Sequence, residues 1–539
     1  MAITASGARR ADYVIVGAGS AGAVLANRLT EDPDTTVILL EAGSEARSFM
    51  VQMPVGFAHM LTNPKFDWGY EQAPDPSING RHFTWSAGRM LGGGSSLNGQ
   101  VWIRGTRADF DSWAEQGATG WGWNDVFPYF LRSEDWRGPP SQVHGSSGPL
   151  STAPMRDPHP LCRVFLAACA EFGLPTLDEY NGGAMEGAFL TQASQRDGWR
   201  CSTEKGYLRP ARARRNLEVL TEAEVDKVLV ADGRAAGVTL KRDGRIERID
   251  ATREVIVCCG ALGSPGLLLR SGIGPGAYLR ERGIPVVHDL PGVGQNLQEH
   301  SGSSQNKFVN RPTLNSQLGR WTMMRDMARF LWNRKGPMGA PAVQAMGFAR
   351  TEQGLAGPDI QIHFMPLAYD VEPETRSAAR ASMPKEPCVS INVTLCHPKG
   401  RGRVELASDG RPMAVHQLLG DEDDLHRHIR GMKLVDRLFA QPSFQAVVIG
   451  DRQPNPVPAD DADWIAYARA KTLLAYHPVG TCRMGSDRDA VVDPQLRVNG
   501  LRGLRVVDAS VMPQLTSGNT NAPVIMIGEK AAEMIRTAA

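Results

Sequence analysis

The sequence contains no run of about 18 or more apolar residues, so no segment reads as a membrane-spanning helix. Its first apolar run, Tyr13 to Val16, is too short for a secretory signal core. Internal repeats and low-complexity tracts are absent. Neither sign of charge is in excess: Lys plus Arg is 59, Asp plus Glu is 58, and the net charge is +1. That balance gives no electrostatic case for nucleic acid or for an anionic surface. Arg209 to Arg215 holds four arginines, which read as a solvated loop. None of the eight cysteines forms a Cys-x-x-Cys pair, and Cys258 and Cys259 are adjacent inside an apolar run. A disulfide framework and a zinc site are therefore not expected, and no metal is assigned. The expected location is the cytoplasm, with peripheral attachment to a membrane left open. Oligomeric state is not legible.

What is present suits a folded enzyme. The chain has 539 residues, more than one simple core supports, so two or more connected domains are expected. Hydrophobic content of 42% and charged content of 22% are ordinary for a globular protein. The first ten residues are polar and expected to fray. Asp12 to Val16 is a β-branched strand, Ser20 to Leu29 has helical spacing, and Val37 to Leu40 is a second buried strand. This is a βαβ unit with a parallel pair. A stretch rich in Gly, Pro and Trp follows. Further strands are expected on either side of Thr221 to Ala223, over Arg253 to Cys259 and over Leu504 to Val507. Between about 301 and 470 the pattern changes. Helices are expected at Trp321 to Trp332 and Asp424 to Phe439. Asp359 to Met365 and Cys388 to Leu395 read as an antiparallel sheet, with Arg403 to Leu406 joining it.

The turn of the βαβ unit is Gly17-Ala-Gly19-Ser20-Ala21-Gly22, a G-x-G-x-x-G loop. The first glycine permits a tight turn, the second lets backbone approach a pyrophosphate, and the third permits close helix–strand packing. The helix offers free N–H groups and a positive dipole end to an anion. Glu41 closes the second strand, nineteen residues after Gly22, where a carboxylate accepts bonds from ribose hydroxyls. This loop does not separate NAD from FAD.

Three further segments do. They are Gly88 to Asn98, Gly260 to Gly274, and His477 to Gly485 followed by Val507 to Pro513 and Ser517 to Pro523. With the N-terminal loop and Pro291 to His300 they closely resemble the glucose–methanol–choline (GMC) family of FAD oxidoreductases, from residue 12 to about 535. The resemblance implies an α/β fold. It pairs a Rossmann-like FAD-binding domain built from discontinuous segments with an α+β substrate domain carrying an antiparallel sheet. The expected division is 1–160, 211–310 and 471–539 for FAD, and 161–210 and 311–470 for substrate. The cofactor positions implied are Gly17, Gly19, Ser20, Ala21, Gly22, Glu41, Ala42, Arg89, Gly92, Gly93, Ser95, Asn98, Gly99, Val225, Asp508, Ala509, Asn521 and Ala522. Some members attach FAD through a histidine before the signature asparagine. Leu97 stands there, so non-covalent FAD is expected.

His477 occupies the position of the family's catalytic histidine, and a neutral imidazole suits a base near pH 7. The family's second position, His or Asn, is expected at Asn521, 44 residues on. Asn519 is read instead as a turn residue. His426 and His428 are expected to face solvent. Gln344 and His363 are expected near the substrate. Choline-oxidising members resemble Gly336 to Arg350 but carry a glutamate where this chain has Gln344. An uncharged primary alcohol is therefore ranked above choline. Met53 to Phe57, His144 to Pro149, Arg200 to Thr203 and Gly206 to Pro210 look most like members acting on sorbose, polyethylene glycol or other primary alcohols. The electron acceptor, a quinone, another carrier or oxygen, is not legible, though a dehydrogenase is favoured. The alternative from another class is a non-redox hydroxynitrile lyase on the same fold.

Overall fold

The computed structural model describes residues 9–370 and 383–538. Two seven-stranded sheets organise the chain. The first runs in the order Leu217–Leu220, Val37–Leu40, Arg9–Val16, Arg245–Val257, Arg234–Arg242, Glu224–Ala231, with Leu504–Val506 also paired to Arg245–Val257. Tyr13 to Val16 lie parallel to Val37–Leu40 on one side and to Glu254–Val257 on the other. Both faces of this strand are covered, which is why its residues are uniformly apolar and Val14 and Ile15 have no exposure. The helix Ser20–Leu29 makes the expected crossover. The helix Asn521–Ala538 packs on it, and Arg28 clamps the pair through Glu529 at 2.7 Å. The two ends of the chain thereby meet at the glycine loop. Of the ten residues expected to fray, 1–8 lie outside the described residues; Arg9 and Arg10 pair with Ile249 and Asp250.

The second sheet is antiparallel throughout. Its order is Val448–Gln453, Ser301–Val309, Cys388–Leu395, Ile360–Met365, Ala345–Ala349, Gly187–Leu190, with Leu473–Leu474 on Ser301–Val309. Arg403–Leu406 does not join it. That strand pairs with Pro412–Val415 in a separate four-stranded sheet. Gly410, at φ +80°, turns the chain straight back on itself, so the local hairpin wins over the distant sheet.

The helix Glu422–Phe439 covers the second sheet, with Gly431 letting it approach Val393 and Ile360. Leu425, Met432, Val435 and Phe439 form its buried stripe at three- and four-residue spacing. His428 falls on that same stripe. It does not face solvent as expected: it is fully buried against Ser303 Oγ at 2.8 Å, and burial pushes it down to about 4. His426 is exposed as expected. Three of the four arginines between 209 and 215 are tied down: Arg209 pairs with Glu204, Arg212 with Glu45, and Arg214 bonds Thr30, while Arg215 is exposed. No helix among the described residues is long and apolar enough to cross a membrane.

Candidate active site

A cavity of about 860 Å³ is walled by residues of both sheets and runs from Gly17 to His477. At one end the strand Arg9–Val16 stops at Gly17, where φ is +100° and a Cβ would lie 2.4 Å from Cys258 O, so no side chain is admitted. A Cβ on Gly22 would sit 2.0 Å from Gly17 O, so Gly22 is the close-packing glycine and does not itself line the cavity. Gly17, Gly19, Ser20, Ala21, Glu41 and Ala42 do line it. No side chain caps the helix Ser20–Leu29, so its N–H groups are left for a ligand. Glu41 accepts bonds from the Ala18 and Gly43 amides at 3.0 and 2.8 Å. Burial pushes it up to about 7 against the pull of those amides.

The second glycine cluster meets the first directly. A Cβ on Gly93, itself at φ +49°, would lie 2.8 Å from Gly19 Cα. A Cβ on Gly94 would meet no described atom within 4 Å, and Gly94 lines the cavity. Leu97, Asn98, Gly99, Val225, Asp508 and Ala509 also line it. Other expected contacts are displaced. Ser95 donates to Gly92 O at 2.6 Å and Ser96 to Leu91 O at 2.8 Å, so both hydroxyls lock the turn instead of facing a ligand. A Cβ on Gly92 would lie 2.3 Å from Ser96 Oγ, Arg89 lies over Trp68, and Ala522 is buried behind the wall. Gln344 is outside the cavity, where its Oε1 accepts from the His159 amide at 2.8 Å.

At the other end stand His477, Asn519 and His363. Asn519 Nδ2 is 2.9 Å from His477 Nε2, whereas Asn521 turns its Oδ1 to Ser20 Oγ at 2.8 Å. The turn residue of the sequence reading is thus the imidazole's neighbour. The 44-residue count lands on the first residue of the helix Asn521–Ala538, whose side chain points back at the glycine loop. Asn521 still lines the cavity, at its nucleotide end. The loop carrying Asn519 is pinned by Asp109, which accepts from Ser517 N and Oγ at 2.9 and 2.7 Å.

Two residues not singled out in the sequence complete this end. His300 Nε2 lies 3.0 Å from Cys396 O, a pure acceptor, so Nε2 carries the proton and Nδ1 is free to accept. His477 Nδ1 is 3.0 Å from that Nδ1 and must donate to it. The chain of bonds leaves the basic lone pair of His477 on Nε2, toward Asn519. Burial, with His300 and His363 nearby, holds His477 well below its ordinary value of 6.5, so it is neutral at physiological pH. Burial also pushes His300 down to about 3 and His363 to about 4. Glu299, fully buried, accepts from the His477 amide at 2.8 and 2.9 Å. It anchors a strained turn, because Tyr476 sits at φ +63°. Pro291 to His300 was marked only as a family segment; sequence spacing gave no reason to join it to His477.

Ser86 Oγ, Gln100 Nε2, Thr394 Oγ1 and Asn519 Oδ1 are buried on the cavity wall without a hydrogen-bond partner among the described residues. Orphans of this kind are rare unless a ligand satisfies them. Together with the uncapped helix and the glycine contact, they fit a long, polar, flat cofactor.

Comparison with known proteins agrees. The N-terminal GMC oxidoreductase family model matches residues 11–302 and the C-terminal one residues 398–528. The chain belongs to the GMC oxidoreductase family. It is an oxidoreductase, and like the family it depends on FAD. It is 39% identical over 532 residues to an oxygen-dependent choline dehydrogenase of Rhizobium etli, covering 98% of this chain and 95% of that one. It is 38% identical over 534 residues to an alcohol dehydrogenase [acceptor] of Pseudomonas putida, covering 97% and 95%. Among solved GMC structures, pyridoxine 4-oxidase from Mesorbium loti superposes with a TM-score of 0.88 at 29% identity, covering 98% of this chain and 99% of that one. The formate oxidase of Aspergillus oryzae gives 0.91 at 26%, with the same coverage.

Proposed function

We propose that the chain oxidises an uncharged primary alcohol to the aldehyde, with His477 as base and Asn519 as the second polar group. The observation that carries this reading is the pairing of a neutral, oriented imidazole with a carboxamide 2.9 Å away on one cavity wall. FAD, when bound, supplies the hydride acceptor. Asp508, Glu41, Val225 and the glycine loops would hold it. His477 Nε2 takes the hydroxyl proton, and the carboxamide of Asn519 holds the substrate oxygen as charge develops on it. With the site empty, Asn519 Nδ2 donates to His477 Nε2 at 2.9 Å; the substrate hydroxyl takes over that lone pair, and the displaced carboxamide donates to the substrate oxygen and so orients the carbinol carbon.

The charge of the cavity favours a neutral substrate. Its lining carboxylates are Glu41, Glu224, Asp226, Asp409 and Asp508. None of them comes from the second sheet or from the His477 segment. Glu299 is turned onto backbone amides, and Gln344 is engaged elsewhere. Among the described residues, a quaternary ammonium would find tyrosine faces there but no carboxylate. Leu97 offers no nucleophile for a flavin bond, so the cofactor is non-covalent; acid-precipitated protein is expected to be colourless. The test of the reading is anaerobic mixing with a panel of alcohols, choline included, followed by air. Bleaching by neutral primary alcohols ahead of choline supports it. Absence of bleaching by any alcohol would favour the non-redox alternative. Re-oxidation in air separates oxidase from dehydrogenase.

A further inference from the structure

The chain exposes twelve large hydrophobic side chains among its described residues, and six of them fall between Leu318 and Trp332. They are Leu318, Trp321, Met323, Met324, Leu331 and Trp332, with the two tryptophans 82% and 89% exposed. Most belong to the helix Arg320–Asn333, which buries only Asp326 and Phe330. Phe330 is its anchor, edge-on to Trp199 at 4.8 Å, with Arg334 over the same indole. On its outward side Trp321, Met324, Ala328 and Trp332 are exposed.

Helical spacing makes this side continuous. Trp321, Met324, Ala328 and Trp332 succeed one another three and four residues apart and share one strip. The two indoles stand roughly 16 Å apart along the axis. Arg320 lies on one flank of the strip, Arg325 and Arg329 on the other. The segment 318–335 holds five basic residues against one acid, Asp326, in a chain whose net charge is only +1. Arg325 and Arg329 reach Asp326 and Asp157 at 2.9 Å, while Arg320 and Lys335 make no ion pair with a described residue. An apolar strip with indoles at each end and arginines on both flanks is the pattern of a helix lying in a lipid–water interface.

Position joins the helix to the catalytic cavity. The chain passes from it directly into Pro337, Ala340 and Pro341, which line that cavity. Leu314, just before the helix, lines it too.

We propose that the helix Arg320–Asn333 docks the enzyme on an anionic lipid surface, lying flat with Trp321 and Trp332 in the headgroup region and the cavity rim beside the membrane. A second copy of this chain fits less well. A two-fold contact through this face would set the arginine flanks against themselves. The inference does not depend on which alcohol is oxidised.

The test is co-sedimentation of the FAD-loaded enzyme with vesicles of phosphatidylglycerol and phosphatidylcholine, or of phosphatidylcholine alone. Binding is expected on the anionic vesicles and to weaken with salt. Tryptophan emission should shift to the blue and be quenched by brominated lipid. Arg320→Gln and Arg325→Gln should each weaken binding about fivefold. Trp321→Ser with Trp332→Ser should weaken it roughly tenfold or more and abolish the quenching. All variants should keep the wild-type rate with a soluble dye acceptor. Failure of the wild type to sediment overturns the proposal, as does equal sedimentation of the tryptophan variant. A dimer in ultracentrifugation that the tryptophan variant dissolves, without vesicle binding, assigns the face to a second copy instead.

Discussion

At the scale of single residues, the site depends on which nitrogen of His477 carries its proton. Nothing in the imidazole itself chooses. The choice comes from His300, whose own proton is claimed by the Cys396 carbonyl. Replacing His300 with Leu is expected to slow flavin reduction roughly five- to tenfold, the population cost of one lost orienting bond. His300→Gln, which keeps an acceptor for His477 and a donor for Cys396, should restore most of it. Equal rates for both variants would remove His300 from the argument. His477→Ala should leave FAD bound and slow reduction about 10²–10⁴-fold in stopped-flow. Asn519→Ala should cost about 10²–10³-fold, since a donor at the reacting oxygen is lost. Asn521→Ala should act instead on cofactor retention through Ser20. A large catalytic loss at 521 with none at 519 would reverse the assignment. The pH dependence has a definite sign. The active form of His477 is neutral and its pKa is lowered by burial, so activity is present above that value and lost only as pH falls through it. The ratio kcat/KM is expected to stay level from pH 6.5 upward, with its acid limb below.

Between elements, the decisive contact is glycine on glycine. Gly93 and Gly19 belong to segments far apart in sequence, yet no side chain fits between them. Gly93→Ala must push the two loops apart and also place a Cβ at φ +49°. The expected result is a folded protein that loses flavin on gel filtration. Retention of full yellow colour would mean that the loops tolerate the shift. The same scale explains the strand readings. The βαβ unit and Cys388–Leu395 were legible because their burial pattern follows from local sequence. The partner of Arg403–Leu406 was not, since strand patterns say which face is apolar but not which neighbour supplies the hydrogen bonds. His428 was misplaced for a related reason: a polar residue on an apolar stripe reads as an exception until Ser303 is seen opposite it.

Across the whole molecule, the cavity takes its walls from both sheets, so a bound cofactor would touch both. FAD binding is expected to raise thermal stability by mass action, about 2.7 kcal/mol at a hundredfold excess over its Kd. Melting curves with and without added FAD measure this. An unchanged midpoint in protein shown to bind flavin would mean that the apo form already holds both walls together. The basic, aromatic helix Arg320–Asn333 lies outside this enclosure, and a net charge of +1 conceals it entirely.

The sequence by itself determined the nucleotide loop, the acid at Glu41, the leucine where some relatives carry a flavin-bonding histidine, and the family's histidine at 477. Each is fixed by residue type at short spacing, because a phosphate-binding turn is made by contiguous backbone. Only the tertiary structure decided which asparagine faces His477, which tautomer His477 adopts, and that Gln344 is withdrawn from the cavity. Those outcomes depend on side-chain direction across contacts 42, 177 and 185 residues apart. Spacing along a chain does not encode such directions; packing does.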